Sequence, residues 1–246
     1  MKKFLVVLCL LIMAVPAFAD GDLTVDEVVA QAEKGDPAAM NALGAMYYEG
    51  NYGMKQDYAK ALELFTKAAD AGNATALTNL GRMYYFGKGV KKDAKKAAEY
   101  FTKAAEKGEP EGQYSLALMY DNGEGGFKQD KKKAAELYRE AAEEGYMQAQ
   151  ANLAAMYYNG DGVKQDKEKA FFWLLRAAEQ GDAESQYNVA VMYGKGEGVK
   201  QDDSLAHEWM RKSAEQGYEL AVNEMKNLEE SKYETVKRIR GIRCEP

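Results

Sequence analysis

Histidine and cysteine are nearly absent: one histidine and two cysteines stand among the 246 residues. A zinc site needs three or four such ligands, so no metal centre is expected. Cys9 lies in an apolar stretch at the start of the chain, which leaves Cys244 without an internal partner. Packing rather than a disulfide is therefore expected to hold the fold. Positive charge is in deficit too, with 33 lysines and arginines against 39 acidic residues and a formal net charge of −6. An acidic surface repels phosphate backbones, so no nucleic-acid partner is expected. Beyond the first residues no window is apolar enough for a bilayer span, and no integral membrane segment is expected there.

The first residues read as a leader. Lys2 and Lys3 precede an apolar run from Phe4 to Val15, and Ala17-Phe18-Ala19 has the form of a cleavage site. Asp20 would then begin the mature chain, and loss of the two lysines takes its formal charge from −6 to −8. Cys9 follows the bulky Leu8, which argues against a lipid anchor. The expected location is the periplasm or the exterior.

What the chain has in abundance is self-similarity. Glycine recurs at Gly35, Gly72, Gly108, Gly145, Gly181 and Gly217, in steps of 37, 36, 37, 36 and 36 residues. Each of the first five is followed by two segments of helical period. In the fourth copy Ala149, Leu153, Met156 and Tyr157 share one face of the first segment. Ala170, Trp173, Ala177 and Ala178 share one face of the second. The second segments open on Asp57, Asp93, Asp130, Asp166 and Asp202, which suits a carboxylate capping the free N–H groups of a first turn. The recurring glycines suit the left-handed residue that ends a helix. Gly44, Gly81, Ala117, Ala154 and Ala190 hold one position and would let paired helices approach closely.

One hairpin cannot bury both of its apolar faces, whereas a stack can. The ends of the array differ from its middle. Thr24-Val25-Asp26-Glu27 is a capping box that opens a lone helix bearing Val25, Val28, Val29 and Ala32. After Gly217, Leu220, Ala221, Met225 and Leu228 match only the first half of a copy. The expected organisation is a signal peptide at 1–19, a capping helix at 20–34, the repeat array at 35–228, and a polar, basic tail at 229–246. That tail is expected to lose helical order from about Tyr233, with Cys244 free or used between molecules.

The pattern A-x-x-x-L-G-x-M-Y-x-x-G-x-G-V-x-x-D-x-x-K-A-x-x-W/F-x-x-K-A-A-x-x-G resembles the Sel1-like repeat, a relative of the tetratricopeptide repeat. Ala76 to Gly108 follow it nearly throughout, and the likeness extends roughly from Gly35 to Leu228. Asn51-Tyr52-Gly53-Met54 and Gly125-Gly126-Phe127 each add one residue to a loop, a small entropic cost. The resemblance implies an all-α, right-handed superhelical α-solenoid of five repeats with capping helices, used as an adaptor for a protein or peptide. It also implies that Trp173 and Trp209 occupy a buried aromatic position. Exported bacterial relatives are tied to envelope assembly, signalling, and contact with host proteins. Some cysteine-rich relatives are β-lactamase-like hydrolases, but those carry a cysteine pair per repeat and this chain has none.

Residues that could carry chemistry are sparse. Ser204 precedes His207 by three residues on one helix, but no oxyanion hole or third partner accompanies them. His207 takes the place of Leu62, Ala98, Ala135 and Phe171, on the flank of a helix. Neither GxxxxGK[ST] nor GxGxxG occurs, so no cofactor is expected. Gly87-Lys88-Gly89 and Gly160-Asp161-Gly162 are turns of the repeat, and Asp121-Asn122-Gly123-Glu124 lacks calcium-loop spacing. No catalytic residue is assigned, and a binding rather than an enzymatic role is expected. Asn73-Ala74-Thr75 is a glycosylation sequon whose use the bacterial-type leader argues against. Met46, Met83, Met119, Met156 and Met192 recur at one position and Tyr47, Tyr84, Tyr120, Tyr157 and Tyr193 at the next, which points to packing.

Positions that vary are more informative. Counting each first helix from its glycine as one, positions seven, eleven and fourteen lie opposite the packing stripe. They carry Tyr48, Arg82, Tyr85, Tyr114, Leu118, Tyr158, Tyr187 and Val191, bordered by Asn79, Asn152 and Asn188. In a stacked array this face is expected to line a concave groove, partly exposed, where tyrosine and arginine would serve as binding hot spots. A secreted factor that binds a host protein would use the same groove.

Without paired cysteines or ligand clusters, chelator and reductant are expected to leave the thermal unfolding midpoint unchanged. A large fall with either reagent in a calorimetric scan would contradict this.

Overall fold

A computed structural model describes residues 24–239; the leader, its cleavage site at Ala19 and the stretch that holds Arg240, Arg243 and Cys244 lie outside them. The described residues form twelve α-helices and no strand. These are α1 (Val25–Glu33), α2 (Pro37–Glu49), α3 (Tyr58–Asp70), α4 (Ala74–Phe86), α5 (Ala94–Glu106) and α6 (Pro110–Asn122). They continue as α7 (Lys131–Glu143), α8 (Met147–Asn159), α9 (Lys167–Glu179), α10 (Ala183–Lys195), α11 (Asp203–Glu215) and α12 (Glu219–Ile239). The chain divides after Tyr146 into two compact units. In the first, α2/α3, α4/α5 and α6/α7 are antiparallel hairpins stacked in order, with α1 packed on α2. In the second, α8/α9 and α10/α11 are hairpins, with α12 packed on α11.

Local chemistry accounts for the helix boundaries. Asp57, Asp93, Asp130, Asp166 and Asp202 each accept backbone N–H groups of the following first turn, at 2.9–3.1 Å. Thr24 and Glu27 form the reciprocal capping box. A second set of caps opens the first helices, where Asp36, Asn73 and Asp182 each accept from the residue three places on at 2.8 Å. Glu109 does the same toward Gly112. The side chain of Asn73, the asparagine of the sequon, is thereby committed to capping.

The core is one interlock repeated. Met46, Met83, Met119, Met156 and Met192 are all buried. Opposite them, the second helices bury Phe65, Phe101, Tyr138 and Leu174 at one shared position. The first helix makes room by having little side chain: a Cβ added at Gly81 would stand 2.5 Å from the Phe101 ring, and one at Gly44 2.8 Å from Phe65. At Gly198 the constraint is backbone. Its φ is +70°, and a Cβ would meet the Lys167 carbonyl oxygen at 2.0 Å.

Two expectations change. Trp173 and Trp209 are half-buried rather than core, because Leu174 fills the buried position one residue later in α9. The tail does not lose its helix at Tyr233, since α12 continues to Ile239. Residues 218–240 contain neither glycine nor proline and are rich in Glu, Lys and Arg, which favour helix.

The interlock predicts that Gly81→Ala destabilises the fold by about 1–3 kcal/mol through overpacking. Adding Phe101→Leu should recover much of that loss, because Ala154 and Leu174 hold the same two positions in the fourth repeat. Denaturant midpoints of both single variants and the double variant measure the coupling. Strict additivity would contradict the interlock.

Candidate functional site

Of the residues expected to face a groove, the position-fourteen tyrosines remain half-exposed. Tyr48 meets Tyr58 edge-on at 5.1 Å. The Tyr85 hydroxyl donates to the Glu124 carboxylate at 2.7 Å, and the Tyr158 hydroxyl donates to Glu197 at the same distance. Each bond spans 39 residues and ties a first helix to the turn of the next repeat. Burial, then the carboxylate bond, pushes Tyr85 up to about 12. For Tyr158 the bond to Glu197 leads and burial follows, again to about 12. Lys167 also reaches Glu197, at 3.0 Å. These rings are held in place before any partner arrives.

Other members of the expected groove are packing residues. Tyr114, Leu118, Arg82 and Asn79 are 3%, 4%, 4% and 3% exposed, which corrects the expectation that they are partly open to solvent. The causes are packing of first helices on one another, as between α4 and α6, and for Tyr114 two rings from α7 and the turn after it. Tyr114 sits between Tyr138 and Tyr146, with ring centroids at 5.7 and 5.1 Å. The Arg82 guanidinium donates to Glu111 at 2.7 Å, and Asn79 donates to Asn41 at 2.9 Å. Burial raises the Glu111 carboxyl above its ordinary value, against the pull of Arg82. No role for Glu109, Glu111 or Glu197 is read from the sequence, and Glu124 is taken there only as part of a turn without calcium-loop spacing. A signal was present for two of them, because Glu124 and Glu197 share one repeat position, which is Asn51, Lys88 and Asp161 in the other copies.

In the second unit the face is more open. Tyr187, Asn188, Val191 and Asn152 are half-buried. Tyr187 lies 5.5 Å from Tyr218. The first unit also has a shallow cleft lined by Tyr85, Ser115, Leu118, Met119 and Glu124, with about 260 Å³ of open space. Only about 10 Å³ of it is enclosed, far below the roughly 300–1,000 Å³ of small-molecule pockets. Among the described residues no group of three His, Cys, Asp or Glu could hold a metal ion, and no helix is long and apolar enough to cross a membrane. Ser204 and His207 are both exposed, with no hydrogen bond between them.

Stacked hairpins with side chains locked across their seams define a helical-repeat scaffold. The Sel1 repeat model matches residues 37–73, 74–109, 110–146, 148–182 and 183–218, and the chain belongs to this family. Members are generally scaffolds for protein–protein interaction. Among solved structures, a protective antigen present in uropathogenic Escherichia coli strains is 36% identical with a TM-score of 0.72, covering 81% of this chain and 42% of that one. A Sel1 repeat protein from Oxalobacter formigenes is 32% identical with a TM-score of 0.69, covering 80% of this chain and 78% of that one. An ERAD-associated E3 ubiquitin-protein ligase component of Arabidopsis thaliana is 42% identical over 59 residues. That match covers 24% of this chain and 9% of the plant protein, so the chain spans only a small part of this relative.

Burial separates two tyrosines that the sequence placed together. Tyr114→Ala should cost about 3–5 kcal/mol of folding energy, as for other buried aromatics. Tyr187→Ala should cost distinctly less. Urea midpoints of the two variants give the comparison, and equal losses would contradict the burial difference.

Proposed function

We propose that the chain is an exported adaptor that binds a protein or peptide through its half-exposed first-helix residues. In the first unit these are Tyr48 and Tyr85; in the second they are Tyr158, Tyr187 and Val191. The observation that carries the reading is the pinning of Tyr85 and Tyr158 by Glu124 and Glu197. Aromatic rings fixed in advance lose little conformational entropy on binding, which is the property of a hot spot. The apolar leader supports export, and family membership supports a protein partner. A second reading, a secreted factor that binds a host protein, draws on the likeness to the E. coli protective antigen.

Photocrosslinking groups at Tyr48 and Val191, with Glu215 as control, should attach the chain to one protein in its native envelope fraction. Affinity for that protein should fall at least about tenfold in Tyr187→Ala or Tyr158→Ala with the melting temperature nearly kept. Undiminished affinity in both variants would sink the first-helix assignment, and retention of the protein in the cytoplasm would sink export.

A further inference from the structure

The second helices supply their own control, because five copies of one helix can be compared position by position. Count each from its capping aspartate as one. Position seven is Glu63, Glu99, Glu136 and Glu208 in four repeats and Phe172 in the fourth. Position eleven, one turn later, is Lys67, Lys103, Glu140, Arg176 and Lys212. Where glutamate precedes lysine at this spacing the two can pair along the helix, as Glu63 does with Lys67 at 2.6 Å and Glu208 with Lys212 at 2.8 Å. Both glutamates are held below the usual carboxylate range by those lysines.

In α9 the carboxylate is gone and the cation remains. The Arg176 guanidinium lies 4.7 Å from the Phe172 ring centre and 5.8 Å from that of Trp173, with no carboxylate in ion-pair contact among the described residues. Phe172 is 47% exposed at a position that is glutamate in every other repeat. Trp173, edge-on to Phe172 at 5.0 Å, is half-buried. Folding does not require this arrangement, since four sister helices fold with glutamate in place of Phe172. An exposed ring costs solubility, and an unpaired arginine on an acidic protein is a vacancy for negative charge.

We propose that the Phe172–Arg176 face of α9 is a docking site for an acidic segment of a partner protein. One Asp or Glu carboxylate of that segment takes the place of the missing position-seven glutamate and pairs with Arg176. An apolar neighbour in the same segment covers the Phe172 ring. Arginine stacked on an aromatic ring keeps its N–H edge free, so the stack orients the guanidinium for a bidentate carboxylate. The site is separate from the first-helix residues above and rests on the scaffold reading only in requiring a protein partner.

The test uses the purified full chain against a random heptapeptide phage library, followed by anisotropy titrations with the selected peptides. Expected are peptides with Asp or Glu beside an apolar residue, bound at least about tenfold more weakly by Phe172→Glu and by Arg176→Gln. Phe172→Glu restores the intrahelical pair seen in the first and fifth repeats, so its helix content and melting temperature should match those of the wild type. Tyr187→Ala should bind these peptides normally, which separates this site from the first-helix reading. The proposal is overturned if Phe172→Glu binds them as well as wild type, or if the selected peptides lack carboxylates. It is also overturned if Phe172→Glu abolishes self-association or binding to anionic vesicles, since the occupant is then a second copy or a lipid surface.

Discussion

Closure of each hairpin depends on the first helix lacking bulk where the second helix carries its largest buried group. Phe65 against Gly44 and Phe101 against Gly81 leave no room even for a methyl group. That contact fixes the register of the two helices. Once the register is set, the aspartate caps, the turn glycines and the buried methionines fall at fixed distances from it. A closed hairpin still has an uncovered apolar side, and stacking covers it. First helices are therefore used up on several sides, by their own second helix and by neighbouring repeats. In the first unit the edge around position fourteen escapes, where Tyr48 and Tyr85 stand half-exposed, and in the second Tyr187 and Val191 stay half-exposed as well.

The seams between and within hairpins are not purely apolar. Asn41 with Asn79, Thr78 with Glu109, and Arg82 with Glu111 join successive repeats in the first unit. Gln150 with Gln180, and Gln186 with Gln216, join the two helices of hairpins in the second. Each such bond adds only about 0.5–1.5 kcal/mol net, whereas a buried polar group left without a partner costs about 1–3 kcal/mol. Slippage by one turn would orphan these groups. The seams thus oppose alternative stackings more than they add stability, and the buried Arg82–Glu111 pair fits that role best. The same logic separates Arg82 from a binding hot spot, since it is buried and paired with Glu111. An arginine among tyrosines resembles a binding hot spot in one dimension, and only the neighbouring repeat reveals its carboxylate.

Much of the fold was legible because periodic features repeat their own evidence. Five aspartates at one position announce a cap, and five methionines announce a core. The site was less legible for a geometric reason. Helical period shows which residues share a face, but not which face meets the next helix. Period alone places positions seven and eleven of the first helices toward water, because they lie opposite the packing stripe. In the first unit α6 packs on α4 and the Tyr138 and Tyr146 rings flank Tyr114, so Tyr114 and Leu118 are buried. Trp173 was misplaced by a smaller error of one residue, since Leu174 holds the register of Phe65 and Phe101. The length of α12 was missed because the repeat supplies no template for it.

A repeat also shows where packing has stopped dictating the residue. Uniform positions are explained by the interlock, and variable exposed positions such as the outer lysines are explained by solvent. Neither account covers a position uniform in four copies and chemically inverted in the fifth. Replacement of glutamate by phenylalanine at residue 172 exchanges a charged exposed group for an apolar one and deprives Arg176 of its turn partner. Both consequences are unfavourable for an isolated helix, because the lost pair forgoes about 0.2–0.5 kcal/mol and the ring stays wet. The Arg176 guanidinium over the Phe172 ring returns part of that loss within the helix, while the outer face of the ring stays in water. Among the described residues no carboxylate pairs with Arg176, which lies against the Phe172 and Trp173 rings. A partner carrying a carboxylate and an apolar surface side by side would complete this face, pairing the cation and covering the ring together.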